Sequence, residues 1–203
     1  MTRHGARVVL LALIAVSGCM TPRLSDPART ATEQLLLSTA ADLAVLQMDV
    51  SELAGRKVFL DATTFDGYDK AYAVAAVAQR VNRDGGLLVE DKKRADVVAA
   101  IRSGALSADR VETLLGIPSL SVPTPFGATL QMPELAIVKR TGLTGVAKLG
   151  LHAYEVPSGK HVLSVGPLSG ESFYSLWTIL GLSMRFSNIP EKAPKSRWWP
   201  WGA

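Results

Sequence analysis

Apolar and polar positions recur with different periods along this chain, and the changes of period mark its predicted elements. Residues 31–48 are rich in Ala and Leu and free of Gly and Pro. Leu35, Leu36, Leu43 and Leu46, with Thr39 between them, lie roughly on one helical face. Thr30 and Glu33 stand at capping-box spacing ahead of that run, so an amphipathic helix lying on a sheet is expected. Gly55 turns the chain into a short apolar strand at 58–60. Asp66-Gly67-Tyr68-Asp69 then opens a second helix to about Arg83, with Tyr72, Ala73, Ala76, Val77 and Arg80 at helical spacing. Gly85-Gly86 stops it, because glycine accepts the left-handed cap. Strands are expected at 87–89 and, after the charged bend 90–94, at 95–102.

Between 114 and 145 Pro118, Pro123, Pro125 and Pro133 interrupt an apolar stretch, which predicts a long loop or an irregular edge hairpin. Val156-Pro157-Ser158-Gly159 separates two strand-like arms, 146–155 and 160–166. Alternation places Leu149, Leu151 and Ala153 on one face of the first arm, and Lys148, His152 and Tyr154 on the other. Pairing Glu155 with Lys160 sets Leu163 opposite His152, so either both faces are covered or a bulge shifts the register. Residues 172–184 carry no charge and predict a final helix, buried or interfacial, too short to span a bilayer. The expected fold is α/β, a single compact sandwich of a small mixed sheet covered by helices over residues 30–188. A Trp-rich tail follows at 189–203.

The N-terminus adds a location. Arg3 and Arg7 precede an unbroken apolar run at 8–16, and Val16-Ser17-Gly18-Cys19 follows directly. A charged segment, a short apolar one and small residues before a cut make a secretory signal over 1–18. Val16, Ser17, Gly18 and Cys19 resemble the bacterial lipobox, in which the Cys thiol is acylated before cleavage. Acylation would use up the only cysteine, otherwise a free thiol in an oxidising compartment. Two or three acyl chains hold a protein stably, at ~0.8 kcal/mol per buried CH₂. Residues 19–29, with two prolines and no periodicity, read as the tether. Met20 stands where an Asp would signal retention in the inner membrane, so the resemblance implies the periplasmic face of the outer membrane.

Composition narrows the chemistry. The chain carries 22 Lys and Arg against 18 Asp and Glu, and loss of Arg3 and Arg7 leaves a charge near +2, too dispersed for a nucleic-acid partner. One Cys and three His give poor material for a metal centre, and none is expected. His152 and His161 stand on opposite arms of the expected hairpin, without a third ligand. Asp61, Asp66 and Asp69 are explained by a strand end, a helix cap and the positive end of a helix. Gly166-Pro167-Leu168-Ser169-Gly170 misplaces its serine for a nucleophile elbow. Lys139-Arg140 reads as a solvated end of the irregular segment. No catalytic residue and no cofactor are assigned, and an enzyme is not expected. Trp198, Trp199 and Trp201, among Lys192, Lys195 and Arg197, suit a membrane interface or a partner groove.

Several short strings carry a family resemblance. Leu53-Ala54-Gly55-Arg56-Lys57-Val58-Phe59-Leu60, Ala95-Asp96-Val97-Val98 and Val156-Pro157-Ser158-Gly159 look like the first strand, third strand and hairpin turn of the curli-secretion channel subunit and the penicillin-binding-protein activator lipoproteins. Leu115-Gly116-Ile117-Pro118, Pro133-Glu134-Leu135, Lys139-Arg140 and Val146-Ala147-Lys148 resemble uncharacterised bacterial lipoproteins. The resemblance implies a lipid anchor followed by an α/β domain. The first functional expectation is a non-catalytic binding or assembly module of the cell envelope, held to the membrane through Cys19 and docking another envelope protein. The alternative is an oligomeric component of an outer-membrane export channel, against which the four prolines weigh. An envelope hydrolase stands third, on scattered Asp, Ser and His alone.

Overall fold

Strand ladders organise most of this protein. The computed structural model describes residues 29–67, 69–123, 127 and 129–190. The chain divides into two compact units, Met1–Thr30 and Ala31–Ala203. Only Arg29 and Thr30 of the first are described, and the fold is that of the second.

The elements run α1 (Ala31–Leu46), β1 (Lys57–Asp61), α2 (Lys70–Arg83), β2 (Leu87–Leu88), β3 (Val97–Ile117), β4 (Leu120–Pro123), β5 (Thr129–Met132), β6 (Leu135–Glu155), β7 (His161–Ile179) and β8 (Leu182–Ser187). Six strands make one curled sheet in the order β2-β1-β3-β6-β7-β8, with β4 and β5 forming a separate hairpin. β1 lies parallel to β2 and β3, and β3, β6, β7 and β8 are successively antiparallel.

The small helix-covered sandwich expected from sequence is corrected by these strands. The molecule is mostly β, and two helices cover only part of one sheet face. Residues 172–184, expected as a final helix, are strand β7, a two-residue turn and the start of β8. Period-two alternation and a row of ladder hydrogen bonds outweigh the uncharged run that suggested a helix. The described part of the proline-rich segment lies largely in strands as well, Pro125 falling outside the described residues. Pro118 lies between β3 and β4, Pro133 between β5 and β6, and Pro123 ends β4, so these prolines stand at joints where no ladder N–H is needed.

The core forms where α1 and α2 lie on the sheet. Leu37, Ala40, Ala41, Ala44 and Val45 of α1 and Ala73, Val77 and Val81 of α2 are buried against Val97, Ala99, Ile101, Leu106, Leu149, Leu151 and Ala153. The buried stripe of α1 is therefore largely alanine, while Leu35 and Leu46 of the expected stripe are exposed. Small residues let backbones meet. A methyl group at Gly170 would overlap the Ala40 carbonyl oxygen, and the hydroxyl of buried Ser172 donates to the Leu36 carbonyl at 2.7 Å. The hairpin alternation is as expected on β6, where Leu149, Leu151 and Ala153 are all fully buried. A bulge shifts its partner, so Ala153 rather than His152 lies opposite Leu163.

Candidate functional site

Cross-strand partners share a sheet face, so the ladder register assigns every side chain of the long strands to one of two sides. The helix-side face carries the core. On β3 it begins with Val97, Ala99 and Ile101, and the bulge between Ser103 and Ala105 moves it to the even positions Leu106 and Ala108. On β6 it keeps the odd positions, from Ala153 down to Lys139. The opposite, far face is polar beside the core, with Arg102, Lys148, His152, Ser164, Ser169 and Glu171.

Beyond the row Ala108, Gly145 and Ser172 the polarity inverts. Far-face rows read Val111, Gly142, Ser175 and Phe186, then Thr113, Arg140, Trp177 and Met184, then Leu115, Val138, Ile179 and Leu182. Val111 is 63% exposed, Leu115 62% and Leu182 76%. Helix-side rows read Arg110, Leu143, Tyr174 and Ser187, then Glu112, Thr141, Leu176 and Arg185, then Leu114, Lys139, Thr178 and Ser183. Thus the distal parts of the strands (109–117, 135–144, 173–179 and β8) present an uncovered apolar face and a polar reverse. In the separate β4–β5 hairpin Leu120 lies opposite Met132 and Val122 opposite Leu130, all exposed.

Local contacts agree with this assignment. The far face also carries Asp109, in the row with Thr144 and Phe173, and Arg140, whose guanidinium lies 5.2 Å from the Trp177 ring centroid while Nε donates to Ser175 Oγ at 3.3 Å. On the polar reverse, Arg110 pairs with Glu112, Thr178 and Ser183 hydroxyls meet at 3.1 Å, and Lys139 Nζ donates to Glu134 at 2.9 and 3.1 Å. The Glu134 hydrogen bond raises the Lys139 pKa, and the nearby charges of Glu112 and Arg110 also act on it, as groups on one face must. Lys139 and Arg140, adjacent in sequence, therefore serve opposite faces.

The β7–β8 turn is apolar too. Leu180 and Gly181 both have positive φ, 48° and 84°, as a two-residue hairpin turn demands. Asn-Gly would suit that geometry in water, yet a leucine 76% exposed occupies it. The Leu180 N–H donates to the Ile137 carbonyl of β6 at 3.0 Å. Beyond Asp109 on β3, and along β8, the outer backbone edge pairs with no strand among the described residues.

The other candidate residues do not assemble into a reactive centre. His152 lies 6.1 Å from His161 and 5.5 Å from Tyr154 between ring centroids. Among the described residues no group of three His, Cys, Asp or Glu is placed to hold a metal ion. Asp61 accepts from the Thr63 hydroxyl and N–H, which lowers its pKa. Asp66 accepts from the Gly67 N–H, and Asp69 rather than Asp66 precedes α2. Ser169 lies in β7, its carbonyl accepting from Gln47 at 2.9 Å. A surface cleft of about 250 Å³ between α1 and α2 is lined in part by groups already hydrogen-bonded. There Tyr72 donates to Asp42, and Arg80 to Asp84 and the Leu46 carbonyl. Val16, Ser17, Gly18 and Cys19, and Trp198, Trp199 and Trp201, lie outside the described residues.

Sequence reasoning missed the apolar far face, including Val111, Leu115, Trp177, Met184 and Phe186. The signal was present as period two: Val111, Thr113, Leu115, Ile117 on one strand, and Leu182, Met184, Phe186 on another. No helix among the described residues is long and apolar enough to cross a membrane, which leaves strands unaddressed. No curated protein matches the chain. The model of DUF6655, a family of unknown function, matches residues 13–188, well over half of the sequence, and the chain belongs to that family.

Proposed function

We propose that this chain is a lipid-anchored subunit of a multi-copy β-barrel in the bacterial outer membrane, with the distal sheet as its wall. The observation that carries the reading is the inversion of polarity along four adjoining strands, apolar outward and polar inward beyond the helix-covered core. Water rewards burial of an apolar face, and no described element covers this one. A spanning strand needs about 9–11 residues, and 109–117 of β3 and 135–144 of β6 match that length. The shorter β7–β8 hairpin ends in leucine, as a turn that stops within hydrocarbon would.

Four strands cannot close alone, since the smallest membrane barrels have about eight. Several copies are required, β3 of one pairing with β8 of the next. A head-to-tail contact of this kind closes into a ring when its rotation permits. An acylated Cys19 would deliver each copy to the membrane surface and concentrate it there before insertion. Nothing in the proposal calls for catalysis. The decisive experiment expresses the Cys19→Ala chain behind a cleavable secretory signal. A barrel subunit stays with membranes through a carbonate wash and runs as a detergent-stable oligomer. A freely soluble monomer would end the barrel reading and leave the adaptor role, in which the apolar face docks a single envelope partner.

A further inference from the structure

We infer that Arg140 and Asp109 together seat the phosphoethanolamine headgroup of a phospholipid on the outer wall of the barrel, an inference that rests on the barrel reading above. Both lie on the far face, Asp109 in the row with Thr144 and Phe173, and Arg140 two rows further from the core. The row between them, Val111, Gly142, Ser175 and Phe186, carries no charge. Arg140 does not stay in its own row. Its Nε donates to Ser175, the partner of Gly142, and a methyl group at Gly142 would lie 3.9 Å from Nε and 4.0 Å from Nη2. The guanidinium is thus turned back toward the core across Gly142, where no side chain displaces it. The Trp177 ring and the hydroxyl of Ser175, itself 8% exposed, fix its plane. Held in this way, the Arg140 Nη groups still meet no acceptor among the described residues, and the Asp109 carboxylate meets no donor. Gly142 and Asp109 are diagonal neighbours across β6 and β3, about 7–8 Å apart. Charges bordering hydrocarbon are costly unless paired. Their partner must bring an anion to Arg140 and a cation to Asp109 from the lipid side. A phosphate linked to a primary ammonium by two carbons does both: the guanidinium grips the phosphate with parallel N–H bonds, and the ammonium donates to the carboxylate. A phosphoglycerol headgroup would leave Asp109 unpaired, and a choline headgroup has no N–H to donate. Val111 and Phe186, both exposed, border the seat and receive the acyl chains.

The test offers the purified full-length protein, in detergent, equimolar phosphatidylethanolamine, phosphatidylcholine and phosphatidylglycerol with identical chains, and reads retained lipid by native mass spectrometry. The expected result is phosphatidylethanolamine retained about tenfold over either competitor. Arg140→Gln should lower retention of all three to that of phosphate-free diacylglycerol. Asp109→Asn should erase the preference for ethanolamine over glycerol headgroups while leaving phosphate-dependent binding in place. Arg102→Gln, on the far face beside the core, should change neither. Equal retention of the three lipids by the wild type, or retention indifferent to Arg140 and Asp109, overturns the inference while detergent-stable oligomers keep the barrel. Displacement of the lipid by equimolar soluble phosphoethanolamine overturns the lipid assignment in the same way. A soluble, lipid-free monomer overturns both.

Discussion

The proximal and distal halves of the long sheet share the same strands and the same ladder, yet they turn opposite sides away from water. Beside α1 and α2 the helix-side face is a packed core, and Leu149, Leu151 and Ile101 are fully buried. Beyond Ala108, Gly145 and Ser172 that same face bears Arg110, Glu112, Lys139 and Arg185, and most apolar side chains move to the reverse, with Leu114, Leu143 and Leu176 remaining. Hydrogen bonding of the backbone does not distinguish the halves, so the side-chain pattern alone specifies which solvent each face is built for. A ladder is indifferent to its surroundings; the residues on it are not.

The comparison can be broken at its strongest point first. Leu151→Ala empties space in the packed half and should cost about 2–5 kcal/mol of folding stability in urea titrations. Leu115→Ala, in the distal half, should shift the same titration by no more than about 0.5 kcal/mol. Equal losses would mean that both halves are cores. Leu115→Arg tests the complementary property: it should leave that titration nearly unchanged but disfavour bilayer insertion by about 2–4 kcal/mol, read as carbonate-extractable protein. Next in size, Gly170→Ala forces α1 off the sheet and should cost about 1–3 kcal/mol, with the distal strands retaining their β signal in circular dichroism.

The smallest effect concerns pH. The Thr63 hydroxyl and N–H hold the Asp61 carboxyl below its ordinary value of 3.8. A folded pKa below the unfolded one gives stability that is complete above the unfolded value and vanishes as pH falls through the folded one. Asp61→Ala should therefore be less stable than wild type at neutral pH. The two should converge below pH 3.8, as followed by thermal melts at each pH.

Much of the proximal half was legible in the sequence. Gly85-Gly86 ended α2 where expected, and Leu149, Leu151 and Ala153 pointed inward as their alternation indicated. The hairpin turn at 156–159 and the strand at 58–60 also fall where expected. The α1 stripe was misread because leucines dominate a hydrophobic count, whereas contact with Gly145 and Gly170 favours alanine. Residues 172–184 looked helical because apolar groups occupy both faces there, Phe173 and Trp177 on one and Leu176 on the other, which blurs period two. Pro118, Pro123 and Pro133 counted against strands because a sequence does not reveal that Pro118 and Pro133 sit between ladders and Pro123 at the end of one. The polarity inversion was hidden for a related reason. The bulge after Ser103 exchanges odd and even positions on β3, so no single alternation runs through the whole strand.

The outer margins of distal β3 and of β8, unpaired with any strand among the described residues, also have a consequence for the isolated chain. Each is a row of peptide groups ready to recruit any extended polypeptide, and each borders an oily flank. A lone copy in water is thus an invitation to clump, with a concentration ceiling on its solubility that the packed half cannot lift. Whatever delivers this protein to its destination must keep those margins apart until their proper neighbours arrive.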